Sequence, residues 1–362
     1  MRLRPATVTI HGSALRHNLE VVREYAPHSK VMPAIKADAY GHGVAEVAKA
    51  TESVADGFAV ATIQEALQIR EQSIDLPILV FQGAQRLKDL EMAFIHQLRL
   101  VVHHQHQIEL LAQYSVQKQH QLDVALKLDT GMHRLGIVSD DFPDALSRLE
   151  SNDGVSQDMW LMTHFACADD DQDRLTTDQI QLFDQLTDQV HLSKTMANSA
   201  GIVEWPTSHR DWVRPGIMFY GGNPLLKKSS KELGLQAAMT LRAPILVIRH
   251  LKVGDAVGYG STWRAKAPTR VGVVACGYAD GYPRHAPTGT PVWVNGRFSQ
   301  LLGRVSMDLV VIDLKDIEAN AGDDVELWGE NNPIDSVANY SETISYELMC
   351  HVGRLCHRIF EP

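Results

Sequence analysis

Val31-Met32-Pro33-Ala34-Ile35-Lys36-Ala37 is a short apolar run with a lysine near its end and polar sequence on both sides. Seven more apolar runs follow, at 57–61, 78–82, 99–103, 123–128, 159–165, 190–197 and 212–220, separated by stretches with helical periodicity. One of those stretches, 62–72, opens on Thr62 with Glu65 three residues later, which is a helix-start signature. Strand and helix alternating eight times between 31 and 221 is the pattern of an N-terminal (β/α)8 TIM-type barrel, so the fold class is α/β. An open, doubly wound sheet is the rival. Its nucleotide-binding form carries G-x-G-x-x-G in the first strand–helix turn, and no such run stands there.

After Tyr220-Gly221-Gly222-Asn223-Pro224 the character changes. Residues 225–234 are short, polar and basic, with Lys227-Lys228-Ser229-Ser230-Lys231, and read as a linker. Beyond them, strands are predicted at 239–251, 270–277, 291–294, 304–314 and 324–328. Asn295-Gly296 marks a hairpin, because both turn positions need positive φ. The expected division is a barrel over 1–224 and a C-terminal β-rich domain over 225–362.

The 362 residues, 44% hydrophobic, can bury a large core. A net charge of −10 argues against nucleic acid or an anionic membrane as partner. There is no signal-peptide pattern and no membrane-length apolar run, so a cytoplasmic location is expected. The four scattered cysteines do not form a disulfide framework. No metal is expected either: His103-His104-Gln105-His106 reads as solvated surface. Cys350-His351 and Cys356-His357 match no zinc spacing and read as a buried terminal segment.

Barrel enzymes build their sites at the carboxyl ends of the strands. There this chain places Lys36, then Lys127-Leu128-Asp129-Thr130-Gly131 with Arg134 beyond, then Thr163-His164-Phe165. Ala197-Asn198-Ser199-Ala200-Gly201 and Val213-Arg214-Pro215-Gly216-Ile217 complete the set. Five of eight strands therefore deliver polar groups to one rim. A lysine in an apolar strand either snorkels to the rim or works with a shifted pKa, and a desolvated lysine forms imines with carbonyl cofactors. Ser199 is open between helix capping and phosphate binding.

The run Ile35-Lys36-Ala37-Asp38-Ala39-Tyr40-Gly41-His42-Gly43 resembles the cofactor-lysine motif of the alanine racemases. The strings around Lys127 to Gly136, Thr163-His164-Phe165, Asn198-Ser199-Ala200, Val213-Arg214-Pro215-Gly216 and Val257-Gly258-Tyr259-Gly260 follow in that family's order. So do Gly277-Tyr278-Ala279-Asp280-Gly281-Tyr282, Val305-Ser306-Met307-Asp308 and Ile344-Ser345-Tyr346-Glu347. The resemblance implies interconversion of L- and D-alanine with pyridoxal 5′-phosphate (PLP) held by Lys36 as a Schiff base. It implies that Lys36 moves the α-proton on one face of the substrate and Tyr259 on the other, as racemisation through a planar carbanion requires. It assigns the cofactor to Tyr40, His164, Ser199, Arg214, Gly216, Ile217 and Tyr346, with Arg214 at the ring nitrogen. It assigns the substrate to Arg134, Met307, Asp308 and Tyr278. Lys127 corresponds to a lysine that many members carry as a carbamate, and Tyr259, Met307 and Asp308 to residues supplied by a partner subunit, so a homodimer with shared sites is expected.

This chain departs from the family at Asp38, where Asn is usual, at His133, where Gly is common, and at Thr195, which can be His. Three rivals remain: a PLP carrier, resembling the first domain alone; a decarboxylase of the same architecture; and a racemase of broader specificity. Whether the D-alanine would serve cell-wall precursor synthesis or catabolism is not written in the sequence.

Overall fold

The computed structural model describes residues 4–117, 120–353 and 355–362. The chain opens with β1 (Thr7–His11) and the helix Gly12–Tyr25. Eight short strands follow: β2 (Lys30–Val31), β3 (Phe58–Val60), β4 (Ile78–Val80), β5 (Leu98–Val102), β6 (Val124–Lys127), β7 (Trp160–Met162), β8 (Ser193–Thr195) and β9 (Trp212–Val213). They pair in parallel in the order β2-β9-β8-β7-β6-β5-β4-β3. The ring closes through a parallel bridge between Ala34 and Ala59, where the Ile35 amide donates to the Ala59 carbonyl at 2.8 Å. The expected barrel is therefore present and closed.

Alternation along each strand sorts the side chains into two layers. Met32, Ala59, Leu79, Val101, Ala125, Trp160, Met162 and Trp212 fill the barrel interior. Val31, Phe58, Val60, Ile78 and Val80 face the surrounding helices and join the main core. The helix Ile63–Arg70 begins with the capping box read from Thr62 and Glu65.

The strands are shorter than the apolar runs that announced them, because the run ends leave the ladder to build the rim. Residues 212–220 are the extreme case. Only Trp212–Val213 pair; Pro215 has no amide to donate, and Ile217–Tyr220 form a 3-10 turn.

The second sheet is antiparallel around β10 (Met239–Leu251), which pairs with Asp324–Trp328 through its first half and with Thr269–Val274 through its second. Pro291–Val294 and Arg297–Gln300 form the hairpin expected at Asn295-Gly296, whose φ angles are 47° and 81°. The run expected as a strand over 304–314 pairs only over Val310–Asp313, because 304–309 turns back through a Ser306 amide to Leu309 carbonyl bond. Both chain ends join this sheet: β1 pairs with β10, and His357–Glu361 pairs in parallel with β1. Thr7–His11 thus lies inside the span expected for the barrel but hydrogen-bonds with the β-domain.

The Cys350-to-His357 segment is less buried than expected. Cys350 and His351 are exposed at the end of the helix Ser345–His351. All four cysteines are free. No helix among the described residues is long and apolar enough to cross a membrane.

Candidate active site

Lys36 follows β2 and opens an unusual turn. Ala37, Asp38, Ala39 and Tyr40 all have φ between 51° and 55°, and Gly41 continues at 77°. Left-handed backbone costs roughly 1–2 kcal/mol for each L-residue, so the turn must be held from outside. His42 is fully buried, and its Nδ1–H donates to the carbonyls of Ala39 and Tyr40, 3.0 Å away in each case. Burial pushes this imidazole down to about 4, so it stays neutral. Glu65 accepts from the amides of Ala37 and Ala61, both at 2.7 Å, and ties the turn to the next helix. Asp38 accepts from the Val44 amide at 2.9 Å and pairs with Arg358 at 3.1 Å. The charge at the first departure from the family pattern thus has a partner, and Asp tolerates the left-handed region better than most residues.

The turn buries Tyr40 against Tyr220, with ring centroids 4.7 Å apart, and brings it 5.7 Å from the ring of Tyr346. Its hydroxyl lies beside Gly216: a Cβ there would sit 3.0 Å from Tyr40 Oη and 3.8 Å from Ser199 Oγ. Ser199 Oγ accepts from the amides of Gly216 at 2.8 Å and Met218 at 3.4 Å. Asn198, not Ser199, caps the following helix by accepting from the Gly201 amide. That leaves Ser199 in a cradle of hydroxyls and amides at the turn opening at Ile217, a setting suited to a phosphate.

The other wall is cationic. Arg214 is 3% exposed and has no carboxylate partner among the described residues. Its guanidinium donates to the Thr195 hydroxyl oxygen and to the carbonyls of Thr163 at 2.7 Å and Met196 at 3.1 Å, and lies 3.5 Å from His164 Nδ1. Burial pulls it down to about 10, still charged near neutrality. Thr195 passes the contact on by donating to the Trp212 carbonyl at 2.8 Å. At the end of β6, Lys127 is 8% exposed; burial, then Arg214 and Arg134, bring it down to about 8. Burial and the same cations hold His164 far below its ordinary value, so it is neutral. Lys36 is also lowered, first by burial and then by Arg134.

Arg134 is exposed at the rim, on a loop shaped by Asp129, which accepts from the amides of Gly131 at 3.1 Å and His133 at 3.0 Å. His133 has φ 53°, which explains why glycine is common there; its ring approaches Asp129 Oδ2 at 3.3 Å.

The structure therefore gathers Lys36, Tyr40, Lys127, Arg134, His164, Ser199, Arg214, Gly216, Ile217 and Tyr346 around one rim. Tyr259, Tyr278, Met307 and Asp308 are elsewhere, on the surface of the β-domain, with Tyr259 69% and Met307 53% exposed. Sequence reasoning missed the bracing roles of Glu65 and His42. Glu65 was visible only as a cap, and His42 only as part of a motif. It also treated all of His103-His104-Gln105-His106 as solvated. His104 and His106 are exposed, but His103 is half-buried and is lowered first by that burial and then by Lys127, with Nε2 3.1 Å from the Gln82 carbonyl.

The model of the alanine racemase N-terminal domain matches residues 10–224, and that of the C-terminal domain matches 238–360. An alanine racemase of Nitrosospira multiformis is 45% identical over 358 residues, covering 98% of this chain and 99% of the relative. The crystal structure of the biosynthetic alanine racemase of Pseudomonas aeruginosa superposes with a TM-score of 0.96 at 43% identity, covering 99% of this chain and 100% of that one. The alanine racemase of Bartonella henselae, solved with covalently bound pyridoxal phosphate, gives 0.89 at 26% identity, covering 99% of each chain.

Proposed function

This chain belongs to the alanine racemase family, and from that premise we infer that it interconverts L- and D-alanine at the rim around Lys36, with PLP as cofactor. The observation that carries the cofactor reading is the pairing of a phosphate cradle with a cationic wall. Gly216 leaves room between Tyr40 and Ser199, while Arg214, Lys127 and Arg134 lack carboxylate partners among the described residues. An anionic ligand supplies the missing countercharge.

When bound, PLP supplies the electron sink that makes an α-proton of an amino acid removable. Tyr40, Ser199, Tyr346 and the amides of Gly216 and Ile217 would hold the phosphate. Arg214 would face the ring nitrogen, flanked by His164. Because arginine does not surrender its proton to such a ring, it holds position without fully charging it, which disfavours side reactions that need stronger delocalisation. Lys36 would bind the cofactor covalently and then, released, take or return the α-proton from one face. Its lowered pKa favours the free amine that imine formation and proton removal need.

The opposite face needs a second acid–base group. Tyr259 of the partner subunit is the candidate, together with Met307, Asp308 and Tyr278 lining the substrate side and Arg134 steadying the carboxylate. Support for a shared site is the exposure of those four β-domain residues in a single chain, and the reading makes the protein a homodimer. Residues 1–224 then hold the cofactor, and 225–362 complete the partner's site. Lys127, brought down to about 8, presents enough neutral amine near neutrality to be carbamylated, which would turn a cation beside Arg134 into an anion. A cytoplasmic location completes the reading.

Conversion of L-alanine by the purified protein tests it. Lys36→Ala should abolish both racemisation and the visible absorbance of lysine-bound cofactor. Tyr259→Phe should slow α-proton exchange from one enantiomer far more than from the other. Equal slowing of both, or none, refutes the two-base assignment.

A further inference from the structure

The N-terminal segment reaches across the molecule to grip the β-domain. Arg4, partly buried, donates through Nε to Asp280 Oδ1 at 2.5 Å and through Nη2 to Asp280 Oδ2 at 3.1 Å. The same Nη2 also donates to Asp308 Oδ1. Asp280 is fully buried, and Arg4 is its cationic partner among the described residues. It closes the turn Tyr278–Asp280 by accepting from the Gly277 amide at 2.9 Å.

That turn is laced to the loop carrying Met307. The Tyr278 amide donates to the Ser306 carbonyl at 3.1 Å, and the Ala279 amide to the Met307 carbonyl at 2.9 Å. The contact is tight enough that a Cβ on Gly277 would fall 2.3 Å from the Ser306 carbonyl oxygen. Tyr278, Met307 and Asp308 thus form one exposed lip, and a single guanidinium spans its two carboxylates. Arginine suits this, having several donors in a fixed plane, whereas a lysine ammonium cannot occupy both positions in the same way.

We propose that Arg4 is a positioning residue for the substrate pocket: it fixes the lip that carries Tyr278 and Met307 and neutralises Asp308, so that an amino-acid carboxylate approaches without repulsion. The proposal rests on the reading that this lip faces the partner subunit's Lys36. Arg4 then acts on the site of the other chain.

Arg4→Lys tests this, because lysine keeps a cation on buried Asp280 while releasing Asp308. The KM for L-alanine should rise about fivefold with kcat within about twofold, and the rise should shrink with added salt as the freed Asp308 is screened. A variant that only melts earlier, with KM unchanged, overturns the proposal and reduces Arg4 to a structural strap.

Mixed dimers separate the two readings. Pairing an Arg4→Lys chain with a Lys36→Ala chain leaves one active Lys36, facing a lip with intact Arg4, and KM should return to the wild-type value. Pairing wild type with a chain carrying both substitutions should keep KM raised. If the raised KM instead travels with the chain that supplies Lys36, Arg4 acts within its own subunit and the shared-site reading falls.

Discussion

Thr195→Val removes one hydroxyl from behind Arg214 while nearly preserving side-chain volume. In the native protein that hydroxyl accepts from the Arg214 guanidinium and donates to the Trp212 carbonyl at 2.8 Å. Thr195 is fully buried and Arg214 is 3% exposed, so water cannot take its place. A hydrogen bond to a charged group is worth about 1.5–3 kcal/mol, and here the cation has only neutral acceptors to begin with. The valine variant should therefore lose about 2–3 kcal/mol. Thr195→Ser keeps the hydroxyl and loses one buried methyl, which costs about 1 kcal/mol. Denaturant midpoints of the cofactor-free protein, compared at equal slope, measure both. The visible spectrum of the loaded protein should shift in the valine variant and be restored in the serine one, because the guanidinium is then held as before. A valine variant as stable as the serine variant, with an unchanged spectrum, would refute the claim that Thr195 holds Arg214.

Gly216→Ala places a methyl 3.0 Å from Tyr40 Oη, inside the cradle. Affinity for PLP, measured by equilibrium dialysis, should fall about tenfold, a loss of ~1.4 kcal/mol; unchanged affinity would move the phosphate site elsewhere. Lys127 makes a pH signature. Its folded value of about 8 lies below the ordinary 10.5, so the unfolded chain binds more protons between those values and stability rises with pH across that window, by up to about 3 kcal/mol. Below pH 8 the burial penalty is fully present. Lys127→Met should flatten this rise in cofactor-free protein, and parallel profiles for the two proteins would disprove the assignment. Intact-mass measurement in bicarbonate reads the carbamate directly, and a bare amine there removes that modification.

Much of the site was legible because barrel chemistry sits at strand ends, and strand ends can be located from hydrophobic runs. Lys127, His164 and Arg214 lie within such runs and Ser199 just after one. The left-handed turn after Lys36 was not legible. Ala37 and Ala39 have no preference for positive φ, and the turn exists because His42, Glu65 and Asp38 hold its backbone from three sides. Asn198 and Ser199 show the same limit: either could cap the helix, and only the distance to the Gly216 amide decided which does.

The sequence by itself determined the architecture, since alternating apolar periodicity forces strands and helices to bury their faces in one closed barrel. It also named the groups with the right chemistry. Tertiary structure alone decided their electrostatic state, because desolvation depends on what surrounds a side chain and not on its neighbours in sequence. Lys127 is lowered first by burial and then by Arg214 and Arg134, and Arg214, far from it in the chain, comes near only because β6 to β9 lie side by side in the barrel. It also decided that Arg4, at the first described position, grips Asp280 and Asp308. No local pattern could have announced that contact, which depends on β1 crossing from the barrel to the second sheet.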